Sequence, residues 1–391
     1  MDKIDELLDR GVDKIYPSRE ALEKVLRSGK KITLYQGFDP TGKELHIGHA
    51  VGFKKLRQFQ DLGHNVIFLI GDGTGQAGDP SGKKTARDKF FTTEELRKNG
   101  KDYVMQAAKI INFSGPHAVK ILYNSGWLNK LNLTDVLDIA GHFSLQQMLE
   151  RDLYQERLKS GTNLSLREFL YPLLQGYDSV AMGVDLELGG SDQTFNMLAG
   201  RKLVREYLGK EKFVLTVPLL TDSKGTKIGK TEGNVIALTD EPTVFFAKIM
   251  SLGDDAIIPC FELLTDKTTT DIANMQSALK RGQNPIDLKK DLAFTLTKWL
   301  NGEENAQKAK VAFEKTFQKK LPDFTTAIPM KATLAQTIAP FTGLASISEA
   351  KRLISQKSVS VNGNTVNDPN FKLSKGQKIQ IGKKIFGIIT K

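Results

Sequence analysis

Short apolar runs alternate with longer stretches of helical spacing through the first half of the chain. Ile32 and Leu34 alternate with polar neighbours, which predicts a strand over 31–37. The run Asp39-Pro40-Thr41-Gly42 then predicts a turn into an amphipathic helix from about Leu45. The segment HNVIFLI at 64–70 is apolar almost throughout, the pattern of a strand covered on both faces in a parallel sheet. Further strands are predicted over 119–124, 184–188 and 214–220. Between them, Thr92-x-x-Glu95 predicts a capping box that opens a helix through about 111, and 133–181 is mostly helical. Residues 5–27 read as one or two amphipathic helices leading into the first strand. Strands separated by helices in this order predict an α/β fold on a parallel sheet.

The second half changes character. Helices are predicted over 243–251, 270–281 and 285–300, so 239–321 reads as a helical domain. Pro322 and Pro329 flank LPDFTTAIP, a stretch of little periodicity, and 322–340 is expected to be a linker. A basic helix, a strand, an Asn362-Gly363 turn and more strands follow, which predicts a small α+β domain over 341–391.

Length and composition add limits rather than detail. At 391 residues, a prior of about 150 residues per domain suggests two or three domains. A single cysteine, Cys260, argues against a disulfide framework and fits a reducing compartment. The first 26 residues mix acids and bases with no apolar run, so neither a secretory signal nor a membrane span is expected, and a cytoplasmic protein is. From 346 to 391 there are nine Lys or Arg against Glu349 and Asp368, which leaves +7 of the chain's +11 in about an eighth of its length. A solvated basic tail is the plain reading. The hairpin turn and the apolar alternation favour a folded surface for a polyanion.

The candidate chemistry lies in the first half. His46 and His49 stand three apart on the first turn of the predicted helix, where free N–H groups and the helix dipole favour phosphate. Two surface histidines are the plain alternative, and zinc is weaker still because no second ligand pair is placed to complete a site. Gly73-Thr74-Gly75-Gln76-Ala77-Gly78 matches the dinucleotide pattern, but Asp79-Pro80-Ser81-Gly82-Lys83-Lys84 is too polar for the helix that should follow. A Walker loop fails at Ala77 and Lys84. The run is read as a flexible glycine-rich loop whose Asp79 points into a site. Tyr171, Gln175 and Asp178, at i, i+4 and i+7, place three polar side chains on one face of an otherwise apolar helix. Pro172 could leave Tyr171 ahead of that helix. Gly189-Gly190-Ser191-Asp192-Gln193 precedes another helix. The loop at 222–231 carries three lysines around two glycines, which suits a pyrophosphate that gains charge as it leaves.

The tetrapeptide His46-Ile47-Gly48-His49 resembles the HIGH signature of class I aminoacyl-tRNA synthetases. The ordered series Asp39-Pro40-Thr41, HIGH, 78–84, Tyr171-x-x-x-Gln175-x-x-Asp178, Gly189 to Gln193 and Lys227-Ile228-Gly229-Lys230-Thr231 closely resembles the bacterial tyrosyl-tRNA synthetases. The last element departs from that family's KMSKS loop, with Ile for Met, Gly for Ser and Thr for Ser, but keeps both lysines. The resemblance covers about 35–238 strongly and the last fifty residues again. It implies a Rossmann-like parallel-sheet catalytic domain over 1–238, a tRNA-contacting helical domain and an S4-like RNA-binding domain. It also implies a homodimer with L-tyrosine, ATP and tRNA(Tyr) as partners, and Mg2+ carried with ATP rather than held by the protein. By the same resemblance Thr41, His46, His49, Lys227 and Lys230 are catalytic. Tyr35, Asp79, Tyr171, Gln175, Asp178 and Gln193 hold tyrosine, while Gly37, Asp39, Gly48 and Asp192 join His46, His49 and Lys230 around ATP. The alternatives are a non-catalytic RNA-binding protein on the same scaffold, a tryptophan-specific relative, and, resting on the glycine run alone, a dinucleotide oxidoreductase.

Overall fold

The computed structural model describes residues 2–81, 90–222, 225–228, 235–318, 324, 326–342, 345–382 and 385–390. It forms two compact units. The first comprises Met1–Thr231, Val235–Asp240 and Gly253–Leu288; the second includes Glu241–Leu252 and Lys289–Lys391.

The first unit is built on a six-stranded sheet of β1 (Lys14–Tyr16), β2 (Thr33–Phe38), β3 (Asn65–Ile70), β4 (Lys120–Tyr123), β5 (Leu186–Gly190) and β6 (Phe213–Val217). Their order is β1-β6-β5-β2-β3-β4. β2 to β6 run parallel, as their apolar runs require. β1 is antiparallel to β6, with Lys14 opposite Thr216, and falls within the region expected to be helical. Three residues, KIY, are too few to show a period of two. They are held because Thr216 Oγ1 accepts the Lys14 N–H at 2.9 Å, which covers the edge of the sheet.

The predicted capping box is present: Thr92 caps the helix Thr93–Ala107 and Glu95 returns a bond to the Thr92 backbone. The glycine-rich run is not a loop throughout, since Thr74–Ala77 forms one helical turn. Asn124 Oδ1 accepts the Gly73 N–H there at 2.7 Å and so holds its start. The helix Leu166–Met182 passes straight through Pro172, so Tyr171 is helical. A proline removes the N–H that would bond the carbonyl four residues back. That carbonyl, on Glu168, instead accepts the Tyr154 hydroxyl at 3.1 Å. The helix Ile257–Leu264, which the sequence pattern did not single out, also belongs to this unit.

In the second unit, the helices Pro242–Met250 and Glu303–Phe313 meet through Phe246 and Phe313, whose ring centroids are 5.5 Å apart. A five-stranded sheet contains β7 (Thr326–Pro329), β8 (Val359–Val361), β9 (Asn364–Thr365), β10 (Lys378–Ile381) and β11 (Ile385–Thr390), in the order β7-β11-β10-β8-β9. Within the stretch read as a linker, β7 pairs parallel to β11 and places Ile328 in the core with Ile338, Ile354 and Ile379. The other pairs are antiparallel. Asn362 and Gly363 turn β8 into β9 with φ of 51° and 84°, as a two-residue hairpin demands. Among the described residues no helix is long and apolar enough to cross a membrane.

Candidate active site

β2 and β5 lie side by side at the centre of the first sheet, and the chain proceeds from them in opposite directions, to β3 and β4 on one side and β6 on the other. A crevice opens beyond the carboxyl ends of strands at such a reversal. Here it is a cavity of about 390 Å³. Tyr35, Gly37, Asp39, Thr41, His46, Gly48, His49, Asp79, Tyr171, Gln175, Asp178, Asp192, Gln193 and Lys227 all line it, drawn from motifs spread over nearly 200 residues. Lys230 lies outside the described residues, as do Gly82, Lys83, Lys84, Gly229 and Thr231.

One end is built by the start of the helix Ile47–Asp61. His46 is its N-cap: the ring accepts the Gly48 N–H at Nδ1, at 3.2 Å, while His49 Nδ1 accepts the His46 N–H at 3.1 Å. An imidazole that accepts at Nδ1 carries its proton on Nε2, so both rings are donors at their outer nitrogen. Gly48 is required by this arrangement, because a Cβ there would stand 2.9 Å from the His46 ring. Residues 236–238 run back along the same turn: Ile47 N–H donates to the Ile236 carbonyl at 3.0 Å and Leu238 N–H to that of Leu45 at 2.9 Å. Lys227 and Ile228 of the lysine loop reach the site as well. Ile228 N–H donates to the Leu220 carbonyl at 2.8 Å, and Lys227 Nζ rests on Asp192 Oδ2 at 2.9 Å.

The other end is a buried polar floor. The Tyr35 ring is fully enclosed, and its hydroxyl lies 2.8 Å from Ser179 Oγ. Asp178 accepts from Trp127 Nε1 at 2.7 Å and from Asn124 Nδ2 at 3.0 Å. Burial still pushes its carboxyl well above the usual carboxylate range, against those two donors and helped by the nearby Glu187 and Asp39 charges. Between the two ends, Tyr171 donates its hydroxyl to Asp39 Oδ2 at 3.0 Å, and Thr74 donates to Oδ1 of the same carboxylate at 2.6 Å. Asp79 accepts from Gln193 at 2.9 Å and from the Ser81 N–H at 2.9 Å. Asn196 then links Gln193 and Gln175, at 2.9 and 3.0 Å, and Gln175 donates to Glu187 Oε1 at 3.0 Å. The supporting residues Thr74, Asn124, Trp127, Ser179, Glu187, Asn196 and Lys212 were not singled out in the sequence. Glu187 did carry a signal, as the lone acid in the otherwise apolar strand LELGG.

Among the described residues of the cavity, no side chain is poised as a nucleophile. The cavity offers N–H donors at its outer end, carboxylates along its wall, and a hydroxyl with a carboxylate at its floor. Residues 27–318 match the model of the family described as tRNA synthetases class I (W and Y). The chain belongs to that family.

As a class I synthetase it also carries a match to the S4 domain over residues 341–379, which spans the helix Ile347–Ser355, β8, β9 and the start of β10. The tyrosine–tRNA ligase of Thermotoga maritima is 39% identical over 388 residues, covering 97% of this chain and 96% of that protein. That of Aquifex aeolicus is 38% identical over 387 residues, with 97% and 96% covered. Among solved structures, a truncated mitochondrial tyrosyl-tRNA synthetase of Coccidioides posadasii superposes with a TM-score of 0.62 at 26% identity, over 79% of this chain and 91% of that one. The tyrosyl-tRNA synthetase of Archaeoglobus fulgidus, solved with L-tyrosine, gives 0.62 at 22% identity over 79% and 98%, which speaks to the fold alone.

Proposed function

We propose that this class I synthetase is a tyrosine–tRNA ligase, which joins L-tyrosine to ATP with release of pyrophosphate and then passes the tyrosyl group to the terminal adenosine ribose of tRNA(Tyr). The observation that carries this reading is the pair Tyr35 and Asp178, a hydroxyl and a carboxylate together at the closed end of a cavity whose mouth is lined by His46 and His49. The carboxylate of the amino acid is itself the nucleophile at the α-phosphate, so the protein needs only to position and to stabilise charge.

Asp178 and Tyr35 take the phenolic hydroxyl. Asp79, Tyr171 and Gln175 hold the ammonium, and Gln193 steadies the carboxylate end. Thr41 with the outer nitrogens of His46 and His49 donates to the phosphates, and Lys227 and Lys230 neutralise the departing pyrophosphate. Gly37, Asp39, Gly48 and Asp192 border the nucleoside, and in this reading Asp192 exchanges Lys227 for a ribose hydroxyl when ATP enters. ATP arrives with Mg2+ as its substrate complex.

Residues 1–238 make the adenylate, 239–321 contact tRNA, and 341–391, whose core is completed by β7 and Ile328 from the stretch before them, bind it electrostatically with their charge. A homodimer follows the resemblance, and Leu133, Leu137, Leu145 and Leu166, each more than 60% exposed, supply apolar surface for it. A single 43.4 kDa species at sedimentation equilibrium would contradict the dimer. The working compartment is the cytoplasm, where tRNA is charged. The test of the reading is charging of bulk tRNA by the full chain: labelled tyrosine should reach acid-precipitable tRNA, whereas transfer of tryptophan in its place would overturn the assignment.

A further inference from the structure

Beneath the floor of the cavity lies an ion pair that the chemistry so far leaves unused. Lys212 stands just before β6 with no exposed surface, and Glu187 on β5 is 2% exposed. Across β2 and β5, Tyr35 and Glu187 are register partners, so the pair sits directly beside the phenol. Lys212 Nζ donates to Ser179 Oγ at 2.7 Å, to Glu187 Oε2, and to the Met197 carbonyl at 3.3 Å. An ammonium has three N–H donors and no acceptor, so these contacts employ all three and Ser179 must accept in the first. Ser179 keeps a single proton. Its two candidate acceptors are the Tyr35 oxygen at 2.8 Å, an ordinary length for a hydroxyl bond, and Glu187 Oε2 at 3.3 Å, which is longer than such bonds usually run. The shorter contact takes the proton.

We propose that Lys212 heads a directed chain of hydrogen bonds, through Ser179 and Tyr35, that turns the Tyr35 proton toward the substrate's phenolic oxygen and thereby sets the preference for a hydroxylated over a plain aromatic amino acid. The inference rests on the ligase reading above. In the filled site the donations run from the Lys212 ammonium to Ser179, from Ser179 to Tyr35, from Tyr35 to the phenolic oxygen, and from the phenol to the Asp178 carboxylate. A cation at the head and an anion at the end fix the direction, which a chain of hydroxyls alone would leave open. Glu187 neutralises the ammonium and gives its other oxygen to Gln175. Lys212 and Glu187 are thus positioning residues, which act through Ser179 and Tyr35.

The experiment is ATP–pyrophosphate exchange with saturating ATP, with kcat/KM measured separately for tyrosine and phenylalanine on the full-length chain. The ratio of the two is independent of how much enzyme is folded. Ser179→Ala removes one oxygen and leaves the ion pair whole; it should lower the tyrosine-over-phenylalanine ratio about tenfold through the tyrosine term, with phenylalanine unchanged. Lys212→Met should lower the same ratio. Adding Glu187→Gln to Lys212→Met should regain part of it, since the amide N–H can then donate to Ser179 while its carbonyl still serves Gln175. A parental ratio in Ser179→Ala, or an equal fall for both amino acids in Lys212→Met, would overturn the proposal. Absence of tyrosine-dependent exchange in the parent would instead defeat the ligase reading itself.

Discussion

Asp178 and Asp79 are both carboxylates in one cavity, yet their surroundings differ. Asp178 is enclosed and gripped by two N–H donors, while Asp79 is partly exposed and shared between Gln193 and the Ser81 backbone. Asp178→Ala is therefore expected to lose most tyrosine activation and most of the preference over phenylalanine, because buried partners left unpaired cost about 1–3 kcal/mol each. Asp79→Ala should lower activation of both amino acids alike, since on the proposed reading it meets the ammonium they share. Exchange kinetics with each amino acid separate the two cases. A pH dependence follows from the same site. The Asp178 pKa is raised, so its proton persists to a higher pH than on an ordinary carboxylate, and below that pKa the group loses the negative charge that makes it a strong acceptor for the phenol. On acidification kcat/KM for tyrosine should fall earlier than that for phenylalanine, and the ratio should become flat in Asp178→Asn. Parallel profiles for the two amino acids would contradict the role. At this scale the polar stripe Tyr171, Gln175 and Asp178 was legible because an apolar helix made it conspicuous. Asn124, Trp127 and Lys212 were not, because an Asn after a strand, a Trp in a short helix and a Lys before a strand are unremarkable until folding brings them together.

The helix Leu166–Met182 brings Tyr171, Gln175 and Asp178 to the cavity wall, and its position depends on a close crossing with Thr194–Leu208. Gly176 lies there: a Cβ added to it would stand 3.1 Å from the Gly200 nitrogen and 3.3 Å from the Ala199 carbonyl carbon. These are backbone atoms, which cannot rotate aside. Gly176→Ala should accordingly cost about 1–3 kcal/mol as overpacking. At about 2–4 °C per kcal/mol for a unit of this size, the thermal midpoint should drop by several degrees. An unchanged midpoint would mean that the two helices are not held at this distance. The central strands and the capped helices were legible because their periodicity is long enough to read. β1 and β7 were not. Each is a short edge strand defined by the partner it pairs with, Phe213–Val217 in one case and Ile385–Thr390 in the other. The helix Glu303–Phe313 escaped for a different reason: its apolar face is mostly alanine, with Ala306 and Ala309 its buried residues.

For the whole molecule, the step in charge near residue 340 was readable from composition, but the place to cut the chain was not. Ending it at Pro340 would retain Ile328, fully buried in the carboxyl-terminal core, while removing β11, on which β7 depends. A chain ending before Thr326 avoids this. It should still form the adenylate, because every residue assigned to that step precedes Leu238, and it should charge tRNA poorly. Binding of tRNA by the full chain should weaken steeply with salt as phosphate contacts release counterions, and the shortened chain should bind weakly with a flatter slope. Equal charging and equal salt slopes would mean that residues 341–391 do not bind RNA. The central claim, that the cavity selects tyrosine and activates it with ATP, is tested most directly by ATP–pyrophosphate exchange of the full chain with each of the twenty amino acids in turn. Exchange should depend on tyrosine, with phenylalanine and tryptophan far behind; exchange supported best by any other amino acid, or by none, would contradict it.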